Sequence, residues 1–106
     1  MSGKSESTTF MEPHELRDYL RSGREIVIMD VRSAEEFSAG HIEGAINTPG
    51  ENLAEYTSRV PVDATIVTVC NFGGARSCNA AEQLKTLGYR NVRPLRGGVR
   101  GWLDDS

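Results

Sequence analysis

A cysteine and an arginine bracket a glycine-containing segment in the second half of the 106-residue chain. Cys70 follows an apolar run, and Arg76 stands six positions later. The thiolate is the reactive form of cysteine, and positive charge, a helix N-terminus and inward-pointing backbone N–H groups all stabilise it. Gly73 and Gly74 permit the positive φ angles that a curled loop needs. Residues 70–77 are therefore predicted to form an anion cradle, with Cys70 as the nucleophile at its floor.

Apolar strands alternate with helices on both sides of this loop. Continuous apolar runs at 26–29 and 65–69 are typical of strands buried on both faces of a sheet. Capping residues, glycines and helical spacing predict helices over 12–23, 33–40, 51–60, 75–87 and 98–104, with shorter strands at 44–47 and 91–95. This alternation predicts an α/β fold with a central, largely parallel sheet flanked by helices. In the helix over 75–87, the residues expected to face the core are Ala80, Ala81, Leu84 and Leu87.

Two loops lie where such a sheet binds ligands, beyond the carboxyl ends of its strands. One follows Met29 and the other follows Val69, and only the second contains a nucleophile. In the first loop, Asp30 and Arg32 are expected to support the neighbouring loop through an ion pair or hydrogen bonds.

Composition limits the classes of protein to which the chain can belong. Twelve basic and 15 acidic residues give a formal net charge of −3, which argues against a nucleic-acid partner. Neither an apolar run of about 18 residues nor a signal peptide is present, so we expect no membrane partner and a cytoplasmic location. The length predicts one domain, over 9–106, behind a flexible tail at 1–8.

Three segments, in the expected order, resemble the signatures of rhodanese domains. They are residues 30–45, with Asp-Val-Arg followed by Glu-Phe and Gly-His-Ile, the loop at 70–77, and residues 95–102, with Leu-Arg-Gly-Gly followed by Gly-Trp. The likeness extends over roughly residues 10–103. It implies a three-layer rhodanese-like domain and a sulfurtransferase whose cysteine, here Cys70, carries a persulfide. It also implies that the donor anion binds the guanidinium of Arg76, and that the outer sulfur is held by backbone N–H groups of Asn71, Phe72, Gly73, Gly74, Ala75 and Arg76.

The resemblance also indicates which small molecules take part. Sulfur would come from a small anionic donor, thiosulfate or another persulfide, and would pass to cyanide, a thiol or a carrier protein. Such a cycle needs no metal and no organic cofactor, and its kinetics should be ping-pong. The sequence does not determine the oligomeric state, and a monomer is compatible with it.

The spacer between cysteine and arginine departs from the usual family pattern. Common single-domain rhodaneses have four residues there, whereas this chain has five, which resembles rhodanese-fold phosphatases and arsenate reductases. Those enzymes usually carry histidine directly before the cysteine, where this chain has Val69, and they need an acid that residues 71–76 lack. Sulfur transfer is favoured, and oxyanion chemistry or a non-catalytic regulatory module remain the alternatives.

Four further residues are assigned structural or functional roles. Cys78 is expected to pack inside the helix, with a resolving thiol as the alternative. His41 is expected to hydrogen bond at a turn, and Trp102 to pack the last helix onto the sheet. Phe72 is placed at the exposed tip of the loop, where it would screen the persulfide or contact a protein acceptor.

Overall fold

The structure is a computed structural model, which describes residues 9–105. The tail predicted at 1–8 and the terminal Ser106 lie outside the described residues. Ten elements follow one another: α1 (Pro13–Ser22), β1 (Val27–Asp30), α2 (Ala34–Ala39), β2 (Ile46–Asn47), a 3₁₀ turn (Gly50–Asn52), α3 (Leu53–Thr57), β3 (Thr65–Val69), α4 (Ala75–Thr86), β4 (Asn91–Pro94) and α5 (Gly98–Asp105).

The four strands form one parallel sheet in the order β2-β1-β3-β4. The predicted α/β fold with a largely parallel sheet is thereby confirmed. Asp30, the last residue of β1, pairs in register with Val69, the last residue of β3. The N–H of Val31 donates to the Val69 carbonyl at 3.0 Å. The loops that follow these two strands therefore start side by side at one edge of the sheet.

Helices cover both faces of the sheet, which gives the three predicted layers. Neighbouring residues of β3 point to opposite faces, so Ile66 packs with Leu84 of α4 in one apolar cluster, and Val67 packs with Leu16 of α1 in the other. The first cluster also contains Leu53 of α3, and the second contains Val99 of α5. Helices α3 and α4 therefore lie on one face and helices α1 and α5 on the other.

Local signals at the ends of the helices agree with the sequence-based prediction. Ser33 and Glu36 form the predicted capping box at the start of α2, in which each side chain bonds to the other residue's backbone N–H. Gly23 ends α1 with φ +73°. In α4, Ala80, Ala81 and Leu84 are buried as expected.

The prediction that Leu87 faces the core was wrong. Its side chain is 51% exposed, because the last helical residue of α4 is Thr86 and the chain reverses at Gly88. Tyr89 returns to the core instead, and its N–H donates to the Leu84 carbonyl at 3.1 Å. Apolar spacing alone does not show where a helix ends.

Candidate active site

Cys70 directly follows strand β3 and lies at the base of a loop whose first two residues are hydrogen bonded to α5. Cys70 is only 4% exposed. Its carbonyl accepts a hydrogen bond from the N–H of Val99 at 2.8 Å, and the Asn71 carbonyl accepts one from the N–H of Arg100 at 2.9 Å. These donors are first-turn amides of α5, which have no partner inside their own helix. The start of the loop is therefore fixed by the N-terminus of the last helix.

Close packing between loop and helix requires glycine at two positions. A Cβ atom at Gly98, which has φ +62°, would lie 2.6 Å from both the Asn71 carbonyl oxygen and the Gly73 nitrogen. A Cβ atom at Gly73, which has φ +76°, would lie 2.8 Å from the Gly97 nitrogen. Backbone atoms cannot yield to such contacts as a flexible side chain could. The role of Gly98 was not predicted, although its Gly-Gly pair was part of the family resemblance.

The loop uses one of its two glycines differently from the prediction. Gly73 has the expected positive φ, but Gly74 has φ −97°, so the prediction of a positive φ there was wrong. Gly74 is the N-cap residue of α4, and a Cβ atom at this position would meet nothing within 4 Å. The chain completes its reversal at Gly73, so Gly74 leads into the helix without a left-handed conformation.

Hydrogen bonds stabilise the thiolate form of Cys70. Burial raises the pKa of this thiol, but the hydroxyl of Ser77 and the backbone N–H groups of Ser77, Gly74 and Gly73 lower it by more, so that the net shift is downward. Arg76 contributes in the direction expected from sequence: its pKa is raised mainly by the hydrogen bonds with Glu36 and in part by the charge of Cys70, an attraction that also favours the thiolate. A buried thiol with a lowered pKa and several donors directed at its sulfur is equipped for nucleophilic attack.

The role of Ser77, the last residue of the predicted loop, was missed by the sequence interpretation. Its Oγ lies 3.3 Å from the Cys70 Sγ, and the residue is fully buried. The Ser77 carbonyl accepts a hydrogen bond from the Thr68 hydroxyl at 2.8 Å, which fixes the first turn of α4 to β3. Its spacing from Ala80 and Leu84 would have placed it on the inward face of α4. A polar residue at such a position was the available signal.

Asp30 and Arg32 form a buried pair next to the loop. The Arg32 Nε and Nη2 donate to the two carboxylate oxygens of Asp30 at 2.8 and 2.7 Å. The Arg32 Nη1 donates to the Asn71 Oδ1 at 3.1 Å, and Nη2 also donates to the Gly40 carbonyl at 2.8 Å. The pair is thus positioned to support the loop, as expected from sequence.

Arg76 and Asn71 both bond to Glu36, which sequence analysis did not include in the site. Nη1 and Nη2 of Arg76 lie 3.0 and 3.3 Å from the two Glu36 carboxylate oxygens. The Asn71 Nδ2 donates to the Glu36 Oε2 at 2.8 Å. Polar contacts thus run without interruption from Asp30 through Arg32, Asn71 and Glu36 to Arg76. The guanidinium expected to bind the donor is therefore already paired with a carboxylate.

The remaining candidates lie around the rim of the loop. Phe72 is 73% exposed at the tip, where sequence analysis expected it. Burial and the nearby charge of Cys70 raise the pKa of Cys78, which is partly buried. Nδ1 of His41 lies 2.8 Å from the Phe37 carbonyl, and the two rings stack. Beside the loop, an open groove of about 950 Å³ has Arg76, Asn79 and Gln83 in its wall, but not Cys70.

Within residues 9–105, no group of three or more His, Cys, Asp or Glu side chains is arranged to hold a metal ion. No helix in this part of the chain is long and apolar enough to cross a membrane.

Known proteins share both the sequence and the fold. The rhodanese-like domain family matches residues 12–105. The chain is 36% identical over 83 residues to the thiosulfate sulfurtransferase GlpE of Shewanella oneidensis. This match covers 78% of this chain and 81% of that protein. The human single-domain sulfurtransferase TSTD1 superposes with a TM-score of 0.81 at 32% identity, over 92% of this chain and 96% of that one.

A longer relative contains the same domain as one part. The chain is 38% identical over 92 residues to the probable adenylyltransferase/sulfurtransferase MoeZ of Mycobacterium tuberculosis. The match covers 85% of this chain but 23% of that protein. The family match covers nearly all described residues, and two relatives of similar length are sulfurtransferases. This chain therefore belongs to the rhodanese-like domain family.

Proposed function

We propose that the protein transfers sulfane sulfur from a thiosulfate or persulfide donor to a thiophilic acceptor through a persulfide on Cys70. The observation that carries this proposal is the environment of the Cys70 sulfur. It is buried, and the Ser77 hydroxyl and three backbone N–H groups favour its anionic form. The same donors suit the outer sulfur of a persulfide, which also carries negative charge.

The first half-reaction loads the enzyme. The Cys70 thiolate attacks the sulfane sulfur of thiosulfate and forms a new S–S bond. The original S–S bond breaks, and sulfite leaves with the bonding electron pair. Sulfite is a stable anion, so the step requires no general acid, in keeping with a loop in which residues 71–76 include no Asp, Glu or His.

The second half-reaction removes the outer sulfur from the Cys70 persulfide. Cyanide attacks the outer sulfur and leaves as thiocyanate, which returns Cys70 to its thiolate form. A thiol acceptor would take the sulfur as its own persulfide, and a carrier protein would do so through a cysteine or another nucleophile. A reducing compartment such as the cytoplasm suits this cycle, because it keeps Cys70 and Cys78 as thiols between turnovers.

The five-residue spacer makes phosphatase or arsenate reductase activity the alternative to be tested. Steady-state kinetics with thiosulfate and cyanide should give the parallel double-reciprocal lines of a ping-pong mechanism. Cys70→Ser should abolish turnover, whereas Cys78→Ser, a matched control in the same segment, should retain most of it. Turnover of aryl phosphate or arsenate without thiocyanate formation would instead support the alternative. Turnover retained by Cys70→Ser would contradict the role assigned to Cys70.

A further inference from the structure

Arg76, the one cationic residue in the loop at 70–77, forms an ion pair with Glu36. Both terminal nitrogens of the Arg76 guanidinium face the Glu36 carboxylate, at 3.0 and 3.3 Å. Arg76 is 49% exposed and Glu36 is 33% exposed. The pair therefore lies at the mouth of the loop, where an incoming donor would meet it, and not in the core.

Glu36 is held in place from three directions. Its Oε1 accepts a hydrogen bond from the Ser33 N–H at 3.0 Å, as part of the capping box of α2. Its Oε2 accepts one from the Asn71 Nδ2 at 2.8 Å, in addition to the contacts with Arg76. The Arg76 hydrogen bonds, followed by that of the Ser33 backbone, lower the pKa of Glu36 to about 2. The carboxylate is thus fully charged at neutral pH and restrained by neighbours on both loops.

The pairing leaves little positive charge to attract an anion. Asp30 neutralises Arg32, and Glu36 neutralises Arg76, so the Cys70 thiolate is the only unpaired charge among these five groups. The backbone N–H of Arg100 donates to the Asn71 carbonyl, and its exposed side chain has no ion pair among the described residues. A doubly charged donor would have to compete with Glu36 for Arg76.

We propose that Glu36 determines donor specificity by holding Arg76, so that the site prefers organic persulfides, which are neutral or singly charged, over dianionic thiosulfate. This inference rests on the proposed sulfur transfer and names the class of donor. Glu36 is a positioning residue in this scheme, because it acts on the donor through Arg76. Dianionic phosphate and arsenate would be disfavoured for the same reason.

The preferred loading step balances without a further reactant. The Cys70 thiolate attacks the outer sulfur of a persulfide, R–S–SH, and forms the S–S bond of the Cys70 persulfide. The S–S bond of the donor breaks, and the thiolate R–S⁻ leaves with the electron pair. The leaving thiolate carries one negative charge, whereas the sulfite released from thiosulfate carries two. This step therefore needs less stabilisation of negative charge by Arg76.

The test compares two donors, thiosulfate and the persulfide of 2-mercaptoethanol, by the rate at which Cys70 gains one sulfur in mass spectra. Glu36→Gln should raise kcat/KM for thiosulfate about tenfold, the effect of one charge-assisted hydrogen bond, and should change the persulfide value by less than about threefold. Glu35→Gln, the same change of charge at the exposed neighbouring residue, should alter neither value by more than about twofold.

A double variant separates charge from structure. Glu36→Gln with Arg76→Gln restores the local charge balance of the unmodified protein, so its kcat/KM for thiosulfate should fall back to within about threefold of the original value. A merely structural role of Glu36 would lower both donor rates in both variants. Equal changes for the two donors in the single variant would overturn the inference.

The unmodified protein supplies a test that does not depend on the folding of any variant. It should load sulfur from the 2-mercaptoethanol persulfide about tenfold faster than from thiosulfate. Equal loading, or faster loading from thiosulfate, would overturn the inference while leaving the proposed sulfur transfer intact. No sulfur adduct from either donor would overturn the proposed function, and the inference with it.

Discussion

Replacing Gly98 by alanine tests whether α5 holds the loop of the site in shape. Gly98 has φ +62°, and a Cβ atom there would contact the carbonyl oxygens of Cys70 and Asn71 and the nitrogen of Gly73. Gly23 provides a matched control. It has a similar φ of +73°, but a Cβ atom there would meet nothing within 4 Å. The two variants share the cost of the left-handed backbone and differ in the contacts.

The expected destabilisation follows from these two contributions. A left-handed conformation costs an L-residue about 1–2 kcal/mol, which Gly23→Ala should show alone. Crowding against packed atoms adds about 1–3 kcal/mol, and contacts with backbone atoms belong at the upper end of that range. Gly98→Ala should therefore lower the free energy of unfolding by about 3–5 kcal/mol, roughly 2 kcal/mol or more beyond the control.

Urea unfolding measures the stability, and alkylation by iodoacetamide measures the site. Gly98→Ala should also slow alkylation of Cys70 under native conditions, because shifting the loop moves the N–H groups away from the sulfur. Gly23→Ala should leave that rate unchanged. Equal destabilisation by the two variants, together with an unchanged alkylation rate in Gly98→Ala, would refute the role given to α5.

Three further predictions concern the thiolate and the buried ion pair. Ser77→Ala should lower the alkylation rate of Cys70 at neutral pH about tenfold, because the thiolate loses a hydrogen bond to a charged group; an unchanged rate would argue against it. Since the pKa of Cys70 is lowered and that of Cys78 is raised, the Cys70 thiolate forms first as the pH rises, and mass spectra of alkylated peptides should show Cys70 labelled at lower pH. The opposite order would contradict the assigned environments. Asp30→Asn should destabilise the fold by about 3 kcal/mol in urea unfolding, since it leaves the Arg32 charge buried without its partner; a loss below about 1 kcal/mol would mean that the pair is not needed.

The fold was predictable because its signals are local. The apolar run at 65–69 is strand β3 without any shift of its ends, and the run at 26–29 differs from β1 by one residue. The capping box of Ser33 and Glu36 marked the start of α2, because it involves residues three apart. The parallel arrangement followed from the alternation of helices and strands.

The details of the site were less predictable, because they depend on contacts between distant segments. Glu36 meets Arg76 across 40 positions of sequence. Its capping-box spacing indicated a role at the start of α2, but nothing in the local pattern indicated its contacts with the loop. Gly98 must lack a side chain because of Cys70 and Asn71, which precede it by more than 25 positions. Only the three-dimensional packing shows that these residues shape the loop.

Intact-protein mass spectrometry after incubation with a sulfur donor tests the central claim most directly. The donors are thiosulfate and the persulfide of 2-mercaptoethanol, and the samples are the unmodified protein and Cys70→Ser. We expect the unmodified protein to gain about 32 Da, one sulfur, which cyanide then removes, and Cys70→Ser to gain nothing that cyanide can remove. An unmodified protein that takes up no sulfur from either donor, or a Cys70→Ser protein that takes it up equally well, would contradict a persulfide on Cys70.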